Sequence, residues 1–399
     1  MTWPEANWKR SYRDLVSPKG DCAELRVMLR DGGSGDMAST HPWPVRLRAL
    51  DLISAACAPE DSIAATLRTW IDALPADAFR RAKDGVSWHA AAHGLIALAR
   101  MRPAEARPRV ATLSAHREWH VRAYAARAAE VLSDTLTLRT LARDANDNVK
   151  EAAIVALAKV TQHASDDVYV AAIGAAGAQA VRAAAVALKG SPRADAATIA
   201  STTFERWAVH HNASERDVRV ALLEAAGRPA SDDRPPVARQ VLPPRAVALA
   251  LGADLRLRVR MSPASAGGSF VVRLRGDQAP MMAARILALS QAKYYDGLDW
   301  HRVEADFVIQ GGSPGSNEYV GAPQYLRDEL GRVHHVRGTV GMSTRGHDSG
   351  DAQWFVNLKD NLRLDRDYTV FAEVIEGMEV VDGIIEGDII LTIEEVGTP

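Results

Sequence analysis

The chain has 399 residues, 47% of them hydrophobic and 25% charged, with a formal net charge of -2, a composition that fits a folded protein of two or three domains and excludes a disordered or fibrous chain. The charge divides unevenly, 33 Lys+Arg against 28 Asp+Glu in residues 1–245 and 15 against 22 in 246–399, and neither part has the basic runs of a nucleic-acid binder. Cys22 and Cys57 are the two cysteines; they exclude a disulfide framework and a cysteine-rich zinc site, and leave a single bridge open. The opening MTWPEANWKRSYRDLV lacks the apolar run of roughly 7–15 residues that a secretory signal needs, and no apolar stretch of about 18 residues occurs, so the sequence as written implies a cytoplasmic protein without a membrane span. A start upstream of Met1 that carried a signal would instead imply a periplasmic or secreted one.

From about Leu25 to Ala226 the chain is rich in alanine and arginine, and its apolar residues recur at helical spacing, which predicts an all-helical region. The clearest unit is LRTLARDANDNVKEAAIVALAKV. Leu138, Leu141 and Ala142 mark one helix, Asp144 to Asn148 a polar turn, and Val149, Ala152, Ala153, Ala156, Leu157 and Val160 the buried side of a second helix. The opening of that second helix recurs at Val121, Val181 and Val218, and more weakly at Val45 and Val86, with spacings of 41, 35, 28, 32 and 37 residues. The turn aspartate and the Val-Arg/Lys dipeptide, here Asp144, Val149 and Lys150, resemble HEAT repeats. That resemblance implies a short right-handed solenoid, in which each helical hairpin covers the apolar stripe of its neighbour, and a scaffold for a client or protein partner. His89 and His93 stand at i, i+4, but no HExxH glutamate accompanies them, so His89, His93, His210 and His211 read as surface or groove residues rather than metal ligands.

RPASDDRPPVARQVLPPRA, from Arg228 to Ala246, holds five prolines and reads as a linker, because proline has no amide donor for a helix interior. The chain then divides into a helical array at 1–227, a linker at 228–246 and a second domain at 247–399. In the last, LRLRVRM from Leu255 and FVVRLRG from Phe270 alternate around the turn-forming SPASAGGS and predict antiparallel strands. APMMAARILALSQAKYY from Ala279 predicts a helix with proline in its first turn. Short strands follow to GDIILTIEEV, a pattern that argues for a small β-barrel or sandwich.

The order AP, helix, YYDGLDWHRVEADFVIQGG, RGTVGMSTRG, GDAQWFVNL, LDRDYTVFAEVIEGMEVVD resembles the cyclophilin family of peptidyl-prolyl cis-trans isomerases across 247–399, which implies a mainly-β closed barrel with flanking helices. On that resemblance Arg302, in Trp300-His301-Arg302, is the catalytic arginine and Gln310 holds the substrate backbone. Phe307, Val308, Phe355 and Leu364 form the socket for the proline ring, with Gln353 beside Phe355. Three positions depart from the family pattern. Ser343, Thr344 and Arg345 stand where Ala-Asn-Ala usually meets the substrate strand, Arg363 stands at the rim position of a tryptophan that supports cyclosporin binding, and Tyr368 takes the histidine-or-tyrosine position as in many bacterial members.

The residue types suit the reaction. Rotation about an amide bond faces a barrier of about 18–20 kcal/mol because the nitrogen lone pair is delocalised. In the twisted transition state the nitrogen becomes a better acceptor, so a guanidinium aimed at it acts more strongly there than on the ground state. Arginine keeps its charge and offers its donors in a rigid fork. The chemistry requires no cofactor, metal or nucleophile, and its substrates are proline-containing polypeptides. A hydrolase reading of His347, Asp348 and Ser349 fails because the G-x-S-x-G elbow is absent, and QGGSPGSNEYVG lacks the lysine of a phosphate loop. The alternative function is a peptide-binding adaptor with weak or incidental isomerase activity; the retained Arg302 favours the enzyme.

Overall fold

The computed structural model describes residues 21–29, 43–74, 88–174, 177–210, 212–233, 244–250, 252, 254–263 and 267–397. The chain separates into two compact units, Met1–Val209 with Asp217–Asp233, and His210–Arg216 with Arg234–Pro399.

The first unit is helical. Its described helices are α1 (Cys22–Leu29), α2 (Trp43–Leu52), α3 (Asp61–Asp72), α4 (Trp88–Met101), α5 (Pro103–Leu113), α6 (Trp119–Val131), α7 (Thr135–Leu141), α8 (Asp147–Thr161), α9 (Asp166–Ile173), α10 (Ala178–Leu188), α11 (Ala196–Ala208) and α12 (Arg216–Ala225). Alternate helices α2, α4, α6, α8 and α10 pack in series, each against the next. The recurring valines lie in the first turns of this series and of α12: Val45, Val121, Val149, Val181 and Val218 are all buried. Val86 lies outside the described residues. Alanine permits close approach along the row, and Ala90, Ala91, Ala92, Ala97 and Ala99 of α4 are fully buried. The polar turn before α8 is a cap, with the Asn146 side chain accepting from the Asn148 and Val149 amides, which satisfies donors that a helix start leaves open. Arg122 grips Asp144 at 2.7 and 2.9 Å. Burial opposes ionisation of Asp144, but the Arg122 hydrogen bonds prevail and hold its carboxyl below the usual range.

Cys22 and Cys57 form a disulfide across a separation of 35 residues. The expectation of surface histidines is corrected for His89, which is 2% exposed and stacks on Trp88 at 3.7 Å, because α4 is covered on several sides. His93 pairs with Asp51 at 2.8 Å and with Tyr124 at 2.9 Å, His210 faces Glu215, and His211 lies outside the described residues. The proline-rich stretch 228–246 is structured at both ends. Ala230–Asp232 forms a 3-10 turn whose following residue, Asp233, makes a buried ion pair with Arg219 at 2.8 Å, and α13 (Pro244–Ala250) begins before residue 247.

The second unit holds an eight-stranded antiparallel sheet ordered β3-β4-β6-β5-β7-β2-β1-β8, with β1 Arg256–Met261, β2 Ser269–Leu274, β3 Arg302–Val303, β4 Val308–Gly311, β5 Thr339–Met342, β6 Trp354–Asn357, β7 Val370–Glu376 and β8 Ile390–Val396. Helix α14 (Pro280–Gln291) carries its proline at the start, as expected; α15 spans Met378–Asp382. The expected closed barrel is corrected to a curled half-barrel. Strands β3 and β8 end the sheet without pairing with each other, and one isolated bridge, Asp299 to Ile389, joins the segments leading into them. The reason is that β3 has two residues: the chain leaves Asp388 after Trp300 and turns Arg302 onto Gln310. The main core gathers Phe270, Trp300, Ile309, Val340, Trp354 and Val356 with one side of α14.

Candidate active site

Strand register assembles the site. Arg302 on β3 lies opposite Gln310 on β4, Gln310 opposite Phe355 on β6, and Phe355 opposite Gly341 on β5. Side chains alternate across a strand, so this row occupies one face, while the adjacent row Val303, Ile309, Val356 and Val340 occupies the other and enters the main core. Both faces are covered, and every residue of β4, β5 and β6 is buried. That is why FVIQGG reads as a continuous run instead of an alternation.

On the first face Val308, Phe355 and Leu364 make a second, smaller apolar cluster, with Phe307 and Tyr368 against it. Gly341 makes room for the Phe355 ring: a Cβ there would come within 2.8 Å of Cε1 and Cε2 and closer still to Cζ. His335, fully buried, stacks on Phe355 at 5.8 Å and bonds the Tyr368 carbonyl at 3.1 Å. Asn361 donates to the Phe307 carbonyl at 3.0 Å. These contacts fix the socket from behind.

The socket opens into a pocket of about 200 Å³. Arg302, Phe307, Val308, Gln310, Ser343, Thr344, Arg345, Phe355, Leu364 and Tyr368, all site residues expected from sequence, line it, and Glu318 joins them. Gln353 stands behind this lining. Its Oε1 accepts from Gln310 Nε2 at 3.2 Å, its own amide donates to the Val320 carbonyl at 3.0 Å, and Gln310 Nε2 also reaches Ser343 Oγ at 2.8 Å. With its amide nitrogen so engaged, Gln310 turns Oε1 towards Arg302 Nη1, 3.4 Å away. Arg363 is exposed and lies over Phe307, its guanidinium carbon 4.4 Å from the ring centroid. Arg345 bonds the Glu318 carbonyl and the Tyr325 hydroxyl.

Electrostatically the site is a guanidinium beside dry groups. Desolvation, aided by the Arg302 charge, pushes His301 down to about 4, and both its ring nitrogens are buried without partners. It is therefore a neutral neighbour at physiological pH. Burial also pushes His335 below its ordinary value and Asp351 above its own. The pocket offers guanidinium, amide and hydroxyl donors around apolar rings, and its one carboxylate, Glu318, is occupied by Arg302 at 3.0 Å. Such a lining suits a neutral peptide group with an apolar ring better than a metal ion. Sequence reading missed Glu318, because nothing in QGGSPGSNEYVG shows that its loop folds back onto β3.

The fold and pocket define an antiparallel β-domain with a dry socket edged by one arginine. The family model described as cyclophilin type peptidyl-prolyl cis-trans isomerase/CLD matches residues 258–394. A peptidyl-prolyl cis-trans isomerase of Helicobacter pylori (strain ATCC 700392 / 26695) is 35% identical over 127 residues, 31% of this chain and 78% of that protein. The peptidyl-prolyl cis-trans isomerase-like 1 protein of Rhizopus delemar is 34% identical over 128 residues, 30% of this chain and 78% of its own. A crystal structure of a Cryptosporidium parvum cyclophilin shares 23% identity, covering 37% of this chain and all of that one with a TM-score of 0.34. The chain belongs to the cyclophilin-type peptidyl-prolyl cis-trans isomerases, and residues 258–394 are its isomerase domain.

Proposed function

We propose that Arg302 and Gln310 are the catalytic pair, that Phe307, Val308, Phe355 and Leu364 seat the proline ring, and that Ser343, Thr344, Arg345, Gln353, Arg363 and Tyr368 bind or border the peptide. The observation that carries this reading is the row Arg302, Gln310, Phe355, Gly341, which sets a polar fork beside an apolar socket on one face. A proline ring held in the socket anchors one side of the X-Pro bond while the other turns. As the bond twists, the prolyl nitrogen gains acceptor strength, and the guanidinium meets a localised lone pair that the planar ground state lacks. Gln310 orients Arg302 through Oε1, and its carboxamide in the pocket lining borders the substrate backbone.

The test is two-dimensional NMR exchange of an Ala-Pro peptide with the full chain. Arg302→Ala should lower kcat/KM by about 10²–10³-fold, the range for removing a principal transition-state donor, and Arg302→Lys should restore little, because an ammonium has no planar fork. An Arg302→Ala variant as fast as the wild type would refute the assignment and leave the adaptor reading.

The same proposal makes the first unit a HEAT-type array that holds a client or partner near the isomerase and so assists folding. Its support is the series of Val-bearing helices, whose stacking follows the sequence repeat. Linkage to a bound client raises the effective concentration of a weak site to the millimolar range for short linkers. Acceleration of proline-limited refolding should therefore fall when residues 1–227 are removed, with small-peptide turnover unchanged. The Cys22–Cys57 bridge supports an oxidising compartment, periplasmic or extracellular, over the cytoplasm, where thiols are kept reduced.

A further inference from the structure

Arg302 divides its donors. Nη1 is shared between Glu318 Oε1 at 3.0 Å and Gln310 Oε1 at 3.4 Å, Nε lies 3.8 Å from Glu304 Oε1, and Nη2 has no hydrogen-bond acceptor among the described residues. The Arg302 and Glu318 side chains are 38% and 42% exposed. An ion pair this exposed adds little to stability, so its consequence lies in where it holds the arginine head.

The segment that presents Glu318 is tightly folded. Ser313 Oγ donates to the Val320 carbonyl at 2.6 Å and accepts from the Gly315 and Asn317 amides. Asn317 Oδ1 accepts from the Tyr319 and Val320 amides at 2.8 and 3.0 Å. From outside the loop, Arg345 bonds the Glu318 carbonyl while its other terminal nitrogen reaches the Tyr325 hydroxyl at 2.7 Å. Glu318 is thus delivered to Arg302 by a fixed backbone, and Arg345, one of the departures from the family pattern, takes part in fixing it.

We propose that Glu318 is a positioning residue for isomerisation: with Gln310 it pins one amino group of the Arg302 guanidinium, so that the other amino group is aimed into the pocket with its donors free for the X-Pro amide. The inference rests on the catalytic role proposed for Arg302. A planar guanidinium held by one amino group has a defined plane, and a small misplacement of a reacting group lowers rate steeply. Glu318 acts as a hydrogen-bond acceptor here, so glutamine, whose side-chain oxygen occupies the same reach, should substitute for it.

The experiment uses the full chain and four proteins: wild type, Glu318→Ala, Glu318→Gln and Arg302→Ala. Exchange kinetics on an Ala-Pro peptide give kcat and KM separately. Nitrogen NMR of the arginine side chains reads rotation about Cζ–Nη at Arg302, the signal being assigned by its loss in Arg302→Ala. Glu318→Ala should lower kcat by ~10-fold with KM little changed, and should merge the slowly exchanging Arg302 Nη signals of the wild type into an averaged one. Glu318→Gln should stay within about threefold of wild type in kcat and keep the Nη signals distinct. The proposal is overturned if Glu318→Ala matches wild type in rate and in Nη rotation, or if Glu318→Gln falls as far as Glu318→Ala. Full activity in Arg302→Ala would instead remove the catalytic reading itself, an outcome separate from either.

Discussion

Replacing Gly341 by alanine adds one methyl group, and the structure says where it goes. Gly341 is not among the positive-φ residues, so alanine meets no backbone strain and the whole effect is steric. The new Cβ would stand 2.8 Å from Cε1 and Cε2 of Phe355 and closer to Cζ, against an ordinary contact near 3.4 Å or more. The Phe355 ring must therefore move by about 1 Å, a displacement of the size that can lower an enzyme's rate ~10²-fold. It has little room to do so: Phe355 is 5% exposed and is closed in by Val308 and Leu364, by His335 at 5.8 Å and by Tyr368 at 5.8 Å. Overpacking of this kind costs about 1–3 kcal/mol. Peptide exchange kinetics should show kcat/KM reduced by about 10–100-fold, and urea unfolding should show the stability loss. Pairing Gly341→Ala with Phe355→Leu should recover stability relative to the sum of the two single changes, because the smaller side chain vacates the contested space. A Gly341→Ala variant with wild-type rate and stability would refute the claim that this glycine sets the socket.

His301 titrates at about 4 in the folded protein against roughly 6.5 when unfolded. The unfolded chain binds the proton first, so stability should fall as pH drops from about 6.5 to 4, by up to about 3 kcal/mol; unfolding at pH 7 and pH 5 should show this slope, and His301→Gln should remove it. The Cys22–Cys57 bridge spans 35 residues, for which chain entropy gives about 4 kcal/mol. The double Cys→Ser variant and reductant-treated wild type should each melt lower, and a bridge that is formed should protect both thiols from alkylation until reduced. Arg363 lies over Phe307 as a charged cover, and desolvating that charge against an apolar macrocycle is unfavourable. Cyclosporin should inhibit the wild type poorly and Arg363→Trp more strongly, as measured by inhibition of peptide exchange.

The sequence by itself determined what depends on neighbours along the chain. Helical spacing and the recurring Val-Arg opening located Val121, Val149, Val181 and Val218 on buried helix faces, and Pro280 marked the start of α14, because these signals are local and have fixed periods. The residues around Arg302, Gln310, Phe355 and Tyr368 were legible as a pocket through the resemblance of their ordered motifs to the cyclophilin family, since each motif is a short contiguous stretch. What only the tertiary structure decided depends on pairs distant in sequence. The register that sets Gly341 against Phe355, the fold-back of the 313–320 loop that brings Glu318 to Arg302, and the burial of His89 leave no periodic trace. The same holds for the sheet's edge: nothing in DWHRVEADFVIQGG says that β3 stops after two residues and does not pair with β8, which keeps β1 as its neighbour. Closure of a sheet is a property of strand length and register across the whole sheet, and those are settled when the strands meet.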